Sequence, residues 1–290
     1  MANRPELSYC ADLVRRDDHD RFLTALFAPA GSREDLLALY AFNLEVARTR
    51  EMVREPMMGM IRLQWWRESI DGIYAGTVRH HAVVQPLAAA VDRHGLSRVH
   101  FDRLLDAREA DMEDAPPKTL SALVGYAEGT SSSLVLLALE LLSGHREADG
   151  EGREEPARAA GRDIGVAWAL VGLLRAVPFH ARARRLYLPE DLTTRTGVRP
   201  DDVFEFRPSP QLAEVVREVA QMARTYLGKA RKQQREIPRR LLPALLPAVL
   251  ADLYLRDLEK AGYNVFDGRV QEAPPGRAWR LAFSALRGRY

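Results

Sequence analysis

Carboxylates gathered in a helical chain are the first place to look for chemistry, because hard divalent cations take oxygen ligands and single acids move protons. The densest acidic run is Asp106, Glu109, Asp111, Glu113 and Asp114. Its irregular spacing beside a loop predicts a solvated face rather than a metal site. The histidines are scattered, and His80 and His81, adjacent at the start of an expected helix, point away from each other. The one cysteine, Cys10, has no histidine placed to activate it and reads as a small buried apolar residue. A single cysteine also excludes an internal disulfide. There is no G-x-G-x-x-G, Walker A loop, H-E-x-x-H or paired C-x-x-C, so dinucleotide, P-loop and zinc chemistry have no support. Arg231, Lys232, Arg235, Arg239 and Arg240 form a basic cluster before an apolar stretch, either a solvated helix end or a contact for anionic lipid headgroups. No aromatic platform accompanies them, and no nucleic-acid partner is expected.

The elements that must position these residues read as helices nearly throughout. Ser32 with Asp35 predicts a capping box, followed by Leu36, Tyr40, Asn43, Ala47 and Arg50 at helical spacing and a stop at Pro56. Helices are expected from about Met57 to Tyr74, His81 to His94, Ser97 to Asp111, Leu120 to Leu142 and Pro156 to His180. Gly144 to Glu155 reads as a polar linker, and Leu186 to Pro189 as extended. Ser209 and Pro210 predict the start of a helix carried to Ile237, with another over Leu241 to Ala261. Trp65 and Trp66 are assigned to packing. No strand-like alternation or repeat is visible, so residues 1–290 are expected to form a single α-helical domain.

The chain has 290 residues, 47% hydrophobic and 28% charged, with a net charge of +2, the profile of a globular protein with no polyanion signature. The first residues lack an apolar h-region, so secretion is not expected. Leu241 to Leu255 and Leu134 to Leu142 fall short of the roughly 20 residues that span a bilayer, which predicts no transmembrane segment.

Several segments, in order over residues 8–287, resemble the squalene/phytoene synthase family. Leu39 to Val46 is similar to its first motif helix, Arg62 to Gly76 to its second helix, and Tyr126 to Ser133 to the stretch before its long core helix. Gly172 to Ala176 with Arg185 to Pro189 looks like its second motif region, and Gly262 to Phe266 with Arg269 like its C-terminal signature. The resemblance implies the all-α isoprenoid synthase fold with a central cavity. It also implies head-to-head condensation of prenyl diphosphates, in which magnesium held by two aspartate-rich motifs neutralises the leaving diphosphate. Here those motifs are degenerate. The first reads Ala47, Arg48, Thr49, Arg50, Glu51, and the second runs from Ala176 to His180 with Pro178 expected to disturb the helix. Ala47, Glu51, Ala176 and His180 stand where motif acids are expected, and the arginine before the first motif is Leu44.

The altered stretch Leu174 to His180, with Arg184 to Pro189, Tyr9 to Arg15 and Tyr126 to Leu134, resembles the branch of the family that includes a mitochondrial respiratory complex I assembly factor. That branch implies a non-catalytic protein with no cofactor. Its partner would be a complex I subunit or assembly intermediate. Its place would be peripheral to the inner membrane, on the cytoplasmic or matrix side. The alternative is a working prenyl transferase that holds magnesium through other acids, of which Glu45, Glu51 and Asp163 are nearest. A third reading, compatible with the first, has Arg48, Arg50, Arg175, His180 and Arg182 face one cavity and hold a prenyl or phospholipid phosphate without metal.

Overall fold

Ser8 starts the first helix. Its hydroxyl accepts the Ala11 amide at 3.1 Å, and α1 runs over Tyr9–Asp17. Asp18 closes that helix and caps α2, His19–Ala25, by accepting the Arg21 amide at 3.1 Å. Pro29 precedes α3, Ala30–Ala47, so the expected start at Ser32 falls inside its first turn. Asp35, the acid expected to cap it, is instead buried against Arg93 and His94 at 2.5 and 2.7 Å. The helix stops at Ala47, short of Arg50, and residues 48–52 form turns. The computed structural model describes residues 7–53, 55–113, 115–144 and 155–290; most of the expected 144–155 linker lies outside them, as does Asp114 of the acidic run.

Helix α4 spans Pro56–Tyr74, and α5, Val84–His94, ends on Gly95 in the left-handed region. His80 and His81 precede α5 rather than sharing a helix. The His81 ring packs edgewise on Trp65 and Trp66 at 5.2 and 5.6 Å, which keeps the tryptophan pair in packing as expected. Helix α6, Arg98–Glu109, runs into a 3₁₀ turn over Ala110–Met112. Next come α7, Leu120–Ala127, and α8, Ser133–Ser143, joined by a π-helical turn over Glu128–Ser132. Close approach explains the glycine in that turn: a Cβ on Gly129 would lie 2.5 Å from the Ala107 side chain.

The longest helix is α9, Glu155–Arg182. It carries straight through Pro178, contrary to expectation. Proline removes one backbone donor, but Pro178 is buried, as are Leu174, Val177 and Ala181 on either side of it in the helix. The helix ends where Arg184 adopts φ 53° and the Arg184 and Arg185 amides turn back to Ala181 and His180 at 2.9 and 3.0 Å. Short helices α10, Glu190–Thr196, and α11, Pro200–Phe204, lead to α12, Pro210–Lys232, capped by Ser209 as expected but ending before Ile237. The expected helix over Leu241 to Ala261 is divided into α13, Leu242–Leu245, and α14, Pro247–Lys260, because Pro247 cannot continue the amide ladder. Helices α15, Gly268–Gln271, and α16, Arg277–Arg287, complete the fold.

Helix α9 forms the axis, with α7, α8, α12 and α14 packed around it and α3 against α1, α5 and α8. One contiguous apolar core joins them, in which Phe42 meets Trp66 and Phe101 edge to face at 5.3 and 5.4 Å. The two sides of the bundle are also tied by a polar clamp. Asp20 of α2 accepts the Tyr254 hydroxyl of α14 and pairs with Arg277 of α16 at 3.2 Å. No strand occurs among the described residues. The all-α expectation holds.

Leu120–Ser143 and Glu155–Arg182 are each long and apolar enough to cross a membrane by length and composition. Their apolar windows are 72% and 56% buried here, which accounts for that composition as bundle core.

Candidate functional site

A cavity of about 460 Å³ opens where α3 stops. The last turn of α3 presents Asn43 and Ala47, and the following turn Arg50 and Glu51. Opposite, α9 presents Trp168, Gly172, Ala176 and His180, which recur every four residues and so share a face. Gly172 and Ala176 are small, and their size leaves the space. The π-helical turn after α7 shifts the side-chain register and brings Thr130 and Ser131 to the wall. The Ser131 hydroxyl is buried with no hydrogen-bond partner among the described residues.

A charged network closes one side. Asp111, 4% exposed on the 3₁₀ turn after α6, accepts the Tyr126 hydroxyl at 2.7 Å and the Tyr187 hydroxyl at 3.3 Å. Arg108 pairs with the same carboxylate at 3.0 Å and donates to the Tyr126 oxygen at 2.8 Å. The Tyr187 ring lies 4.4 Å from the His180 imidazole. Burial raises both tyrosine hydroxyls far above the usual phenol range, so they remain donors. Burial also drives His180 down to about 4, with Arg185 adding to the shift and Asp111 opposing it, so the ring is neutral at pH 7. Glu51 is raised above the ordinary carboxyl range, mainly by burial and against the pull of Arg48 and Arg108. At the far end Arg21 pairs with Asp18 at 2.6 Å and lies 5.9 Å from the Trp168 ring.

The structure brings together only part of the expected constellation. Ala47, Glu51, Ala176 and His180, the four motif positions, all line this cavity. Arg50 does too, buried and donating to the Val53 carbonyl at 3.2 Å. Arg48, Arg175 and Arg182 do not. Arg48 pairs with Asp17 at 2.7 Å, and Arg48 and Arg16 together hold the Asp17 carboxyl at about 2. Arg175 lies 3.6 Å over the Tyr254 ring and donates to the Val270 carbonyl, while Arg182 sits near Phe206. Of the alternative acids, Glu45 and Asp163 lie off the cavity wall. Sequence reading missed Asp111, Arg108, Tyr126, Tyr187 and Arg185. Asp106 and Glu109 of the acidic run are rim partners of Arg67, both at 2.6 Å, while the 3₁₀ turn swings Asp111 inward.

The donors present do not fit magnesium. The cavity acids are Asp18, Glu51 and Asp111. Asp18 and Asp111 are committed to guanidinium partners, and Glu51 is biased towards its neutral form. Four arginines, Arg21, Arg50, Arg108 and Arg185, line the same wall. A hard dication needs several free anionic oxygens, and like charges close by repel it. Among the described residues no group of three or more histidine, cysteine, aspartate or glutamate side chains is arranged to hold a metal ion.

The squalene/phytoene synthase family model matches residues 14–275. A Bos taurus protein named NADH dehydrogenase (ubiquinone) complex I, assembly factor 6 is 33% identical over 282 residues, which cover 97% of this chain and 82% of that protein. The Homo sapiens protein of the same name is 31% identical over 264 residues, covering 91% and 77%. Among solved structures, a dehydrosqualene synthase in complex with ligand superposes with a TM-score of 0.81 at 21% identity over 96% of this chain and 94% of that one. That last likeness is one of fold. The synthase-like helical architecture expected from the sequence is therefore shown.

Proposed function

Because the chain belongs to the squalene/phytoene synthase family, we propose that it is a member retired from diphosphate chemistry that acts in the assembly of respiratory complex I. The observation that carries this reading is the wall of the cavity. Two of the four motif positions are Ala47 and Ala176, a third is a neutral imidazole, and the buried carboxylate of Asp111 is paired with Arg108. Ionising an allylic diphosphate needs that charge neutralised by metal, and the wall offers no ligand set for it. Likeness to the assembly factors over nearly the whole chain supports the process.

In this reading residues 1–290 act as one unit whose partner is a complex I subunit or assembly intermediate, at the periphery of the inner membrane. The cavity keeps a ligand of prenyl or phospholipid phosphate type. Arg50 meets its phosphate, the unpartnered Ser131 hydroxyl adds a donor, and the apolar α9 face takes its chain.

Two measurements test it. Cells lacking the chain are expected to lose NADH:ubiquinone oxidoreductase activity and regain it with the wild-type gene; normal activity without the chain would overturn the role. Purified protein with farnesyl or geranylgeranyl diphosphate, magnesium and NADPH is expected to release no diphosphate. Release abolished by Glu51→Gln would restore the prenyl transferase reading.

A further inference from the structure

Helix α16 is amphipathic in the unexpected sense: its apolar stripe faces outward. Only Leu281 is buried. Trp279, Phe283 and Leu286, at positions i, i+4 and i+7, are 81%, 54% and 78% exposed. Single exposed apolar residues are ordinary, but a contiguous stripe on one helix marks a contact surface. A groove of about 750 Å³ runs between this stripe and α14, floored by Val249 and Leu253.

The rim is basic. Arg256 and Arg280 line the groove with no ion pair among the described residues, and Arg287 stacks 3.9 Å from the Phe283 ring instead of meeting a carboxylate. The single acid in the groove, Asp252, is taken by Arg231. The basic cluster seen in the sequence joins the same face. Arg239 lies against Gly288 at the end of α16, where an added Cβ would meet its Nε at 3.0 Å, and Arg231 donates to the Tyr290 carbonyl. An exposed tryptophan–phenylalanine–leucine stripe edged by arginines is complementary to a bilayer surface, whose acyl boundary takes the rings and whose anionic headgroups take the guanidiniums.

We propose that the outward face of α16, with Arg256, Arg280 and Arg287, docks the protein on an anionic lipid bilayer. This deepens only the peripheral-membrane part of the function proposed above and is independent of its complex I part. The face inserts shallowly, since a helix of 11 residues cannot span.

Sedimentation of the purified full chain with phosphatidylcholine vesicles, with and without phosphatidylglycerol, tests the docking. The wild type is expected to bind the anionic vesicles far better than the neutral ones and to be released by salt. Trp279→Ser with Leu286→Ser should lower binding by at least roughly tenfold, since each large side chain left in water forfeits its burial. Arg280→Gln with Arg287→Gln should lower it roughly fivefold per charge removed. All four side chains are exposed, so both variants should melt like the wild type. Unchanged vesicle binding by both variants would overturn this surface while leaving peripheral location intact. Failure of the wild type to bind anionic vesicles would overturn both. A wild-type dimer that Trp279→Ser with Leu286→Ser converts to monomer, with vesicle binding unchanged, would reassign the face to self-association.

Discussion

Asp111 and Asp106 lie five residues apart in one acidic run, yet their energetic weight differs widely. Removing Asp111 leaves the largely buried Arg108 guanidinium with no carboxylate, only the Tyr126 oxygen, and takes the acceptor from two tyrosine hydroxyls, so Asp111→Ala should cost about 3–5 kcal/mol. Asp106→Ala breaks a rim pair whose carboxylate is 65% exposed and should cost less than about 1 kcal/mol. Urea unfolding of the two variants measures the contrast. His180 carries a pH signature. Its folded value of about 4 lies below the ordinary imidazole value of 6.5, so the native state binds fewer protons than the unfolded chain between those limits. Stability contributed at this site is full above 6.5 and falls as pH drops towards 4, by on the order of 3 kcal/mol. His180→Gln should flatten the melting temperature over that window, read by calorimetry from pH 7 to 4.5.

At this scale the four motif positions read from the sequence meet at one cavity while their arginine neighbours leave it, for a simple reason. Successive helical residues differ by about 100°, so Arg175 beside Ala176 and Arg182 beyond His180 leave the shared face. The spacing that groups Trp168, Gly172, Ala176 and His180 already excludes them. Arg48 and Arg50 part because the helix ends at Ala47, which no residue type in that stretch announces. Asp111 was illegible because its inward turn depends on a 3₁₀ segment and two tyrosines distant in sequence.

Among the elements, the π-helical turn between α7 and α8 is the one that shapes the cavity, and it is held by close packing. A Cβ on Gly165 of α9 would stand 2.4 Å from the Ser132 backbone, so Gly165→Ala should destabilise by about 1–3 kcal/mol. Gly228 of α12 has open space and should show the opposite sign on mutation to alanine, a gain of about 0.5–1 kcal/mol from helix propensity. Thermal melts of the pair separate packing from backbone entropy. The start of α12 was legible because Ser209 and Pro210 announce it, whereas Pro56, read as the stop of the preceding helix, opens α4. The π turn was not, since its cause is the approach of α6 and α9 rather than any local propensity. Pro178 shows the converse: a strong local breaker overruled by the burial of α9 on both sides.

For the molecule as a whole, the outward α16 face and the arginine-lined cavity are separate features, and variants should separate them. Arg50→Gln is expected to reduce co-purifying phosphate-containing lipid, read by mass spectrometry, without changing vesicle binding. The Trp279→Ser, Leu286→Ser variant should do the reverse. The clamp of Asp20 on Tyr254 and Arg277 has a temporal meaning as well. Asp20 and Tyr254 are 234 residues apart. As a ribosome delivers the chain, α2 emerges long before the hydroxyl and guanidinium that fix its carboxylate are made. Arg21, on the same short helix, forms part of the cavity wall. That clamp on α2 is therefore fastened only once α14 and α16 have been made, and until then a nascent chain leaves that side of the cavity without it.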